Sequence, residues 1–137
     1  MEYLQTRTSD KIEFHFHEPE QKFIADVSPS LFEWVLENIM KNAVDAVAGS
    51  GRIDIRFQEN TKFLYIDIND NGKGIPKSNR KDIFKPGFTT KARGWGLGLS
   101  LSKRIIEEYH SGKIYVLNSE IDKGTTIRVG VRKRKAC

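Results

Sequence analysis

The sequence predicts an α+β fold, a two-layer sandwich with helices on one face of a mixed, mostly antiparallel sheet. Apolar residues alternate with polar ones at Ile12, Phe14 and Phe16, at Ile53, Ile55 and Phe57, and at Leu64, Ile66 and Ile68, the period of half-buried strands. Two longer stretches, Leu31–Val47 and Leu97–Tyr109, carry apolar residues at helical spacing. The elements run strand, helix, hairpin, loop, helix, hairpin, with no repeat and no low-complexity tract.

Each element has a local cause. Pro19 ends the first strand. Asp26, Ser28, Pro29 and Ser30 supply turn chemistry and an N-cap for the first helix, whose Val35, Leu36, Ile39, Ala43 and Val47 form one apolar stripe. Residues 48–51 close it. The turn at Glu59, Asn60 and Thr61 joins the second and third strands into a hairpin. Residues 71–95, with Gly72, Gly74, Gly87 and Gly94, two prolines and many basic side chains, predict a long loop. A loop that long in a compact domain is expected to act as a functional lid. The second helix carries Leu97, Leu101, Ile105 and Ile106, and Lys113–Leu117 and Thr125–Val131 read as two further strands.

At 137 residues, one domain is expected, large enough to bury roughly 70% of its unfolded surface without staples. Hydrophobic residues at 38% and charged residues at 30% exclude a disordered or fibrous chain. The net charge of +5 suits nucleic acid, an anionic membrane surface or a phosphorylated small molecule, and does not choose among them. The best candidate for a membrane span, Leu31–Met40, already contains Glu33, Glu37 and Asn38, so these residues are not expected to cross a bilayer. The single cysteine, Cys137, excludes an internal disulfide and a cysteine-rich zinc site. Residues 1–11 lack the basic start and apolar block of a secretory signal, and a cytoplasmic location is the expectation.

On the first helix, Asn38, Asn42 and Asp45 fall within about 60° of one another, nearly opposite the apolar stripe; alone, that describes a solvated face. Asp70 is more informative, because it shares the parity of Leu64, Ile66 and Ile68 and therefore faces the buried side. A buried carboxylate needs a donor from protein, water or ligand. Gly72 and Gly74 remove two side chains beside it, leaving room for a flat ligand, and Thr125, on the parity of Ile127, Val129 and Val131, also points inward. Residues 88–98 bring Lys91, Arg93 and several glycines to the start of the second helix, a phosphate cradle in outline. They match neither a Walker A loop nor the dinucleotide pattern, since Leu99 stands where a third glycine belongs.

In this order and spacing the segments resemble the catalytic, ATP-binding domain of sensor histidine kinases, within the wider group of gyrase, heat-shock chaperone and mismatch-repair ATPases. Residues 37–43 (ENIMKNA) look like the family's N box, 70–76 (DNGKGIP) its first glycine box, 83–91 (IFKPGFTTK) its F box, 94–99 (GWGLGL) its second glycine box, and Gly124–Thr125 its last. The match covers about residues 30–130 and implies a Bergerat-type fold with a long ATP lid. By that resemblance Asp70 accepts from the adenine amine, helped by a water held by Thr125. Gly72, Gly74 and Ile75 floor the pocket, and Phe84 and Leu97 help enclose it. Asn42 is the implied Mg²⁺ ligand, an oxygen donor as that ion prefers, and Asn38 lines the phosphate side. Lys91, Arg93, Gly94, Gly96 and Gly98 would contact the phosphates and act by positioning and charge neutralisation.

The resemblance further implies residues 1–10 as a linker remnant and 11–137 as the catalytic domain of a larger kinase. Its implied partners are a histidine-bearing dimerisation domain absent from this sequence and a response regulator, with membrane contact only through missing parts of the parent. His17–Glu18 superficially matches an acceptor pair, but Pro19 follows and the helical context is absent. His15 and His17 are expected on a solvated strand face, and His110 against the last carbonyls of the second helix. Where the hydrolytic members carry a Glu four residues before the metal-binding Asn, this sequence has Asn38, which favours phosphoryl transfer over hydrolysis; Asp45 departs from the frequent Lys three residues after that Asn. The alternatives are an anti-sigma-factor-type serine kinase and a non-catalytic module binding nucleotide, or nucleic acid through Arg128, Arg132, Lys133, Arg134 and Lys135. Nucleic-acid binding is not expected.

Overall fold

The structure, a computed structural model, describes residues 11–19, 25–47, 49–86 and 98–133. Strands β1 (Ile12–Phe16), β2 (Gly51–Glu59), β3 (Phe63–Asp70), β4 (Lys113–Glu120) and β5 (Gly124–Arg132) form one sheet in the order β1-β2-β3-β5-β4. Helix α1 (Pro29–Ala46) and helix α2 (Gly98–Arg104) cover one face of it. β1 and β2 are parallel because α1 provides the crossover such a pair needs, and all other neighbours are antiparallel. The core lies between the layers, with Val35, Ile39 and Ala43 of α1 against Ile53, Ile66, Ile68, Ile127 and Val129. The expected two-layer, mostly antiparallel architecture is the one observed.

Helix α1 starts at Pro29, whose missing N–H costs nothing in a first turn, and Ser28 caps it without a side-chain hydrogen bond. The β2–β3 turn is closed by Asn60, whose Oδ1 accepts from the amides of Lys62 at 2.9 Å and Phe63 at 2.7 Å. Three details depart from the sequence reading. The described part of the expected loop contains two 3₁₀ turns, Lys77–Asn79 and Asp82–Phe84, because Ile83 and Phe84 are apolar enough to be buried. The second helix stops being α-helical at Arg104 and continues as a π turn over Ile105–Tyr109. β4 runs on to Glu120 through a bulge between Val116 and Asn118. Among the described residues no helix is long and apolar enough to cross a membrane. Residues 1–10, expected as a linker, lie outside the described residues.

The opposite face of the sheet is polar, and its two buried acids are paired. Asp67 receives a two-pronged contact from Arg128, Nε to Oδ1 at 2.7 Å and Nη2 to Oδ2 at 2.8 Å, and the same guanidinium lies 4.8 Å from the centroid of the Tyr65 ring. Asp54 accepts from Arg52 Nε at 2.9 Å and pairs with His17 Nε2 at 2.7 Å. His17 is therefore not a solvated strand residue. Its imidazole is drawn down by the Asp54 carboxylate on the neighbouring strand.

Burial pushes the Asp54 pKa up, but hydrogen bonds from Arg52 and His17, with the charges of Arg52 and Arg56, outweigh it and hold the carboxyl below its ordinary value. A depressed acid pKa contributes stability at neutral pH that is lost as the pH falls through the folded-state value. Urea unfolding of Asp54→Asn is expected to show a loss of about 1–3 kcal/mol at pH 7. That gap to wild type should close below about pH 4; a constant gap across this range contradicts the ion-pair account.

Candidate functional site

The site is built where the middle strand of the sheet ends. Asp70 is the last residue of β3, flanked in register by Ile53 of β2 and Thr125 of β5, and it is 3% exposed. Its Oδ1 accepts from the Gly72 amide at 2.9 Å. Burial raises its pKa, and the backbone amides of Gly72 and Thr125 offset this only in part. Among the described residues no cation pairs with it. The parity argument thus put the right carboxylate and the right hydroxyl on the buried face, as Thr125 is equally enclosed.

The residues after Asp70 are clamped between two elements. The Lys73 amide donates to the Ala46 carbonyl at the end of α1 at 3.1 Å, and the Lys73 carbonyl accepts from Asp122 in the β4–β5 turn at 2.8 Å. A Cβ at Gly72 would run into the Ala46 carbonyl, so only glycine lets the loop pack there. Gly74 has φ +78° and lies against the Glu120 carbonyl, which excludes a side chain both by conformation and by space. Ile75 follows, half-buried, and its amide donates to Ser119 Oγ at 2.7 Å.

On α1, Asn38 and Asn42 are one turn apart on the same face. The Asn38 amide donates to the Trp34 carbonyl at 2.8 Å and its Oδ1 lies against Gly98, where a Cβ would come within 2.7 Å. The half-buried Asn42 side chain makes no hydrogen bond among the described residues, which leaves its carbonyl oxygen available. Phe84 is buried in the core, with Lys103 Nζ 5.6 Å from its ring centroid. The structure therefore brings Asp70, Gly72, Gly74, Ile75 and Thr125 together, and joins Asn38 to Gly98. Lys91, Arg93, Gly94, Gly96 and Leu97 lie outside the described residues.

Sequence reasoning missed Ser119, whose Oγ lies 2.7 Å from Thr125 Oγ1 and 3.2 Å from the Gly124 carbonyl. It also gave only half the role of His110. That imidazole does bond the Ile105 carbonyl through Nδ1, at 3.0 Å, but its Nε2 accepts from the Ser28 amide at 2.9 Å and so ties the end of the π turn to the start of α1. Among the described residues no three His, Cys, Asp or Glu side chains converge on a metal position.

The mixed sheet thus carries a buried acid at the end of its central strand, with glycines beside it and two asparagines one turn apart on the helix that covers it. The chain belongs to the family of histidine kinase-, DNA gyrase B- and HSP90-like ATPases, whose model matches residues 28–135. It is 51% identical over 87 residues to the signal transduction histidine-protein kinase AtoS of Escherichia coli, covering 63% of this chain and 14% of AtoS. It is 35% identical over 122 residues to the sensor histidine kinase ZraS of the same organism, covering 89% of this chain and 26% of ZraS. The chain thus spans only 14% and 26% of the length of these two relatives. The nucleotide-free catalytic domain of histidine kinase ThkA superposes with a TM-score of 0.78 at 30% identity, over 89% of this chain and 80% of that one. ThkA in complex with the response regulator TrrA gives 0.75 at 29% identity, over 90% of this chain and 34% of that one.

A raised carboxyl pKa in the folded state means that ionised Asp70 costs stability at neutral pH and costs nothing once the pH is below its unfolded value. Asp70→Asn keeps an acceptor for the Gly72 amide. In urea unfolding without ligand the variant should be as stable as wild type or more so at pH 7, with the difference shrinking toward pH 3. A clear destabilisation at pH 7 would show that the carboxylate is structural.

Proposed function

We propose that this chain binds Mg²⁺-ATP and presents its γ-phosphoryl group to a histidine on a dimerisation domain of a parent two-component kinase, with a response regulator as the downstream acceptor. The observation that carries this reading is Asp70, a buried carboxylate held by amides rather than by a cation, facing Thr125 across the sheet and bordered by glycines. Such a group accepts hydrogen bonds strongly and is left wanting a donor, which the exocyclic amine of adenine supplies. Gly72 and Gly74 keep side chains away from the base. Family membership and the likeness to ThkA support the same assignment.

Asn42 offers an amide oxygen suited to Mg²⁺, and Asn38 sits beside it next to Gly98. The ion, when bound, neutralises charge on the phosphates, and most of its ligands come from those phosphates and water. Lys91 and Arg93 are assigned to the phosphates as further positive charge. An amide at position 38 cannot take a proton from water, which supports transfer to a protein acceptor over hydrolysis. The location proposed is cytoplasmic, where ATP is available.

Titration calorimetry with ATP and Mg²⁺ tests this. Asp70→Asn should weaken binding about 10–100-fold, the loss of one charge-assisted hydrogen bond. Asn42→Ala should weaken it about tenfold with Mg²⁺ and hardly at all with the ion chelated. Equal affinity in wild type and both variants sinks the assignment.

A further inference from the structure

Ser119 belongs to none of the motifs that single out the site. Counting by alternation from Ile114 and Val116 puts it on the outer face of the sheet, beyond reach of the pocket. The extra residue at the bulge, Leu117, reverses the alternation, so that Asn118 pairs with Thr126 outward and Ser119 pairs with Thr125 inward. There it joins three walls. Its Oγ accepts from the Ile75 amide at 2.7 Å, lies 2.7 Å from Thr125 Oγ1 and 3.2 Å from the Gly124 carbonyl, and its own carbonyl accepts from Arg80 Nη2.

A hydroxyl has one proton to give. With the Ile75 amide already donating to it, Ser119 gives that proton either to Thr125 Oγ1 or to the Gly124 carbonyl, and the Thr125 contact is the shorter. The choice also decides where the Thr125 proton goes. When Ser119 donates, the Thr125 proton is not turned back to Ser119 and can be given on the side of Asp70, its cross-strand partner.

We infer that Ser119 is a positioning residue for base recognition: by donating to Thr125 Oγ1 it makes Thr125 a hydrogen-bond donor into the pocket, beside the acceptor Asp70. This rests on the nucleotide reading above and adds to it a determinant of which purine is taken. An acceptor beside a donor, reached directly or through a water, fits the amino group and unprotonated N1 of adenine. It opposes the carbonyl and protonated N1 of a 6-oxopurine.

The test is a calorimetric titration of ATP and of inosine triphosphate, each with Mg²⁺, into wild type, Ser119→Ala, Ser119→Thr, Thr125→Val and the double variant Ser119→Ala/Thr125→Val, with thermal unfolding of each to establish folding. Ser119→Ala should weaken ATP about 5–10-fold and inosine triphosphate less than about twofold, so the preference for ATP narrows. Ser119→Thr, which keeps the hydroxyl, should restore the preference, and in the Thr125→Val background the Ser119 change should narrow it no further. A purely structural Ser119 would weaken both nucleotides alike. A preference retained in Ser119→Ala, or a loss that simply adds to that of Thr125→Val, overturns the proposal while ATP binding by wild type and its loss in Asp70→Asn still stand. Should Ser119→Ala not fold, Ser119→Cys, a poor donor of similar size, is read by the same criteria. Wild type that binds neither nucleotide removes the nucleotide reading and this inference with it.

Discussion

Burying an ionised carboxylate is costly, and the three buried acids among the described residues meet that cost in two ways. Asp54 and Asp67, on the outer face, are each met by an arginine, and Asp54 also by His17. Asp70, on the core side, is met by peptide amides. Burial and cation act in opposition on Asp54 and the cation wins, whereas on Asp70 burial prevails. The first two acids therefore knit strands together. The third leaves an acceptor that its two amides compensate only in part, which is the basis of the adenine assignment proposed above.

Holding that acceptor in place requires backbone to approach backbone closely, and this explains where the surrounding elements end. The Lys73 amide and carbonyl bind Ala46 and Asp122, so the first residues after β3 are fastened to the end of α1 on one side and to the β4–β5 turn on the other. The Asn71 side chain adds a bond from the Arg52 amide at 2.7 Å, tying the same stretch to the start of β2. Under the proposed function, a segment so bound would not have to be ordered at the expense of binding energy.

Much of this was legible in the sequence because strand parity and helical spacing are periodic. Asp70 and Thr125 could be placed on the buried face by counting from Ile68 and Ile127, and the structure has both there. Counting fails where the period breaks. The bulge at Leu117 carries no sequence mark such as glycine, and the strand was read as ending there, which left Ser119 out of it. His17 was misjudged for a different reason: its partner, Asp54, is close only because β1 pairs in parallel with β2, a long-range fact that neither strand displays alone. The contact at the end of the π turn is likewise long-range, from the Ser28 amide at the start of α1 to His110 Nε2.

That last contact bears on how the two helices relate to the site. α2 begins at Gly98 against Asn38, in the middle of α1, and the π turn that extends it ends at His110, whose Nε2 accepts from Ser28 at the start of α1. Accepting at Nε2 while Nδ1 donates to the Ile105 carbonyl requires the neutral imidazole with its proton on Nδ1, so both ring nitrogens are committed. Shifting α2 along α1 would strand the Ser28 amide, a half-buried donor, at a cost of about 1–3 kcal/mol, besides opening the packing at Gly98. The helix that follows residues 87–97 is thereby fixed at both ends to the helix that carries Asn38 and Asn42. Asn38 and Asn42 thus stand one turn apart on a helix held to α2 at both ends, and under the phosphate role proposed above for these two residues their placement would be set before a ligand arrives.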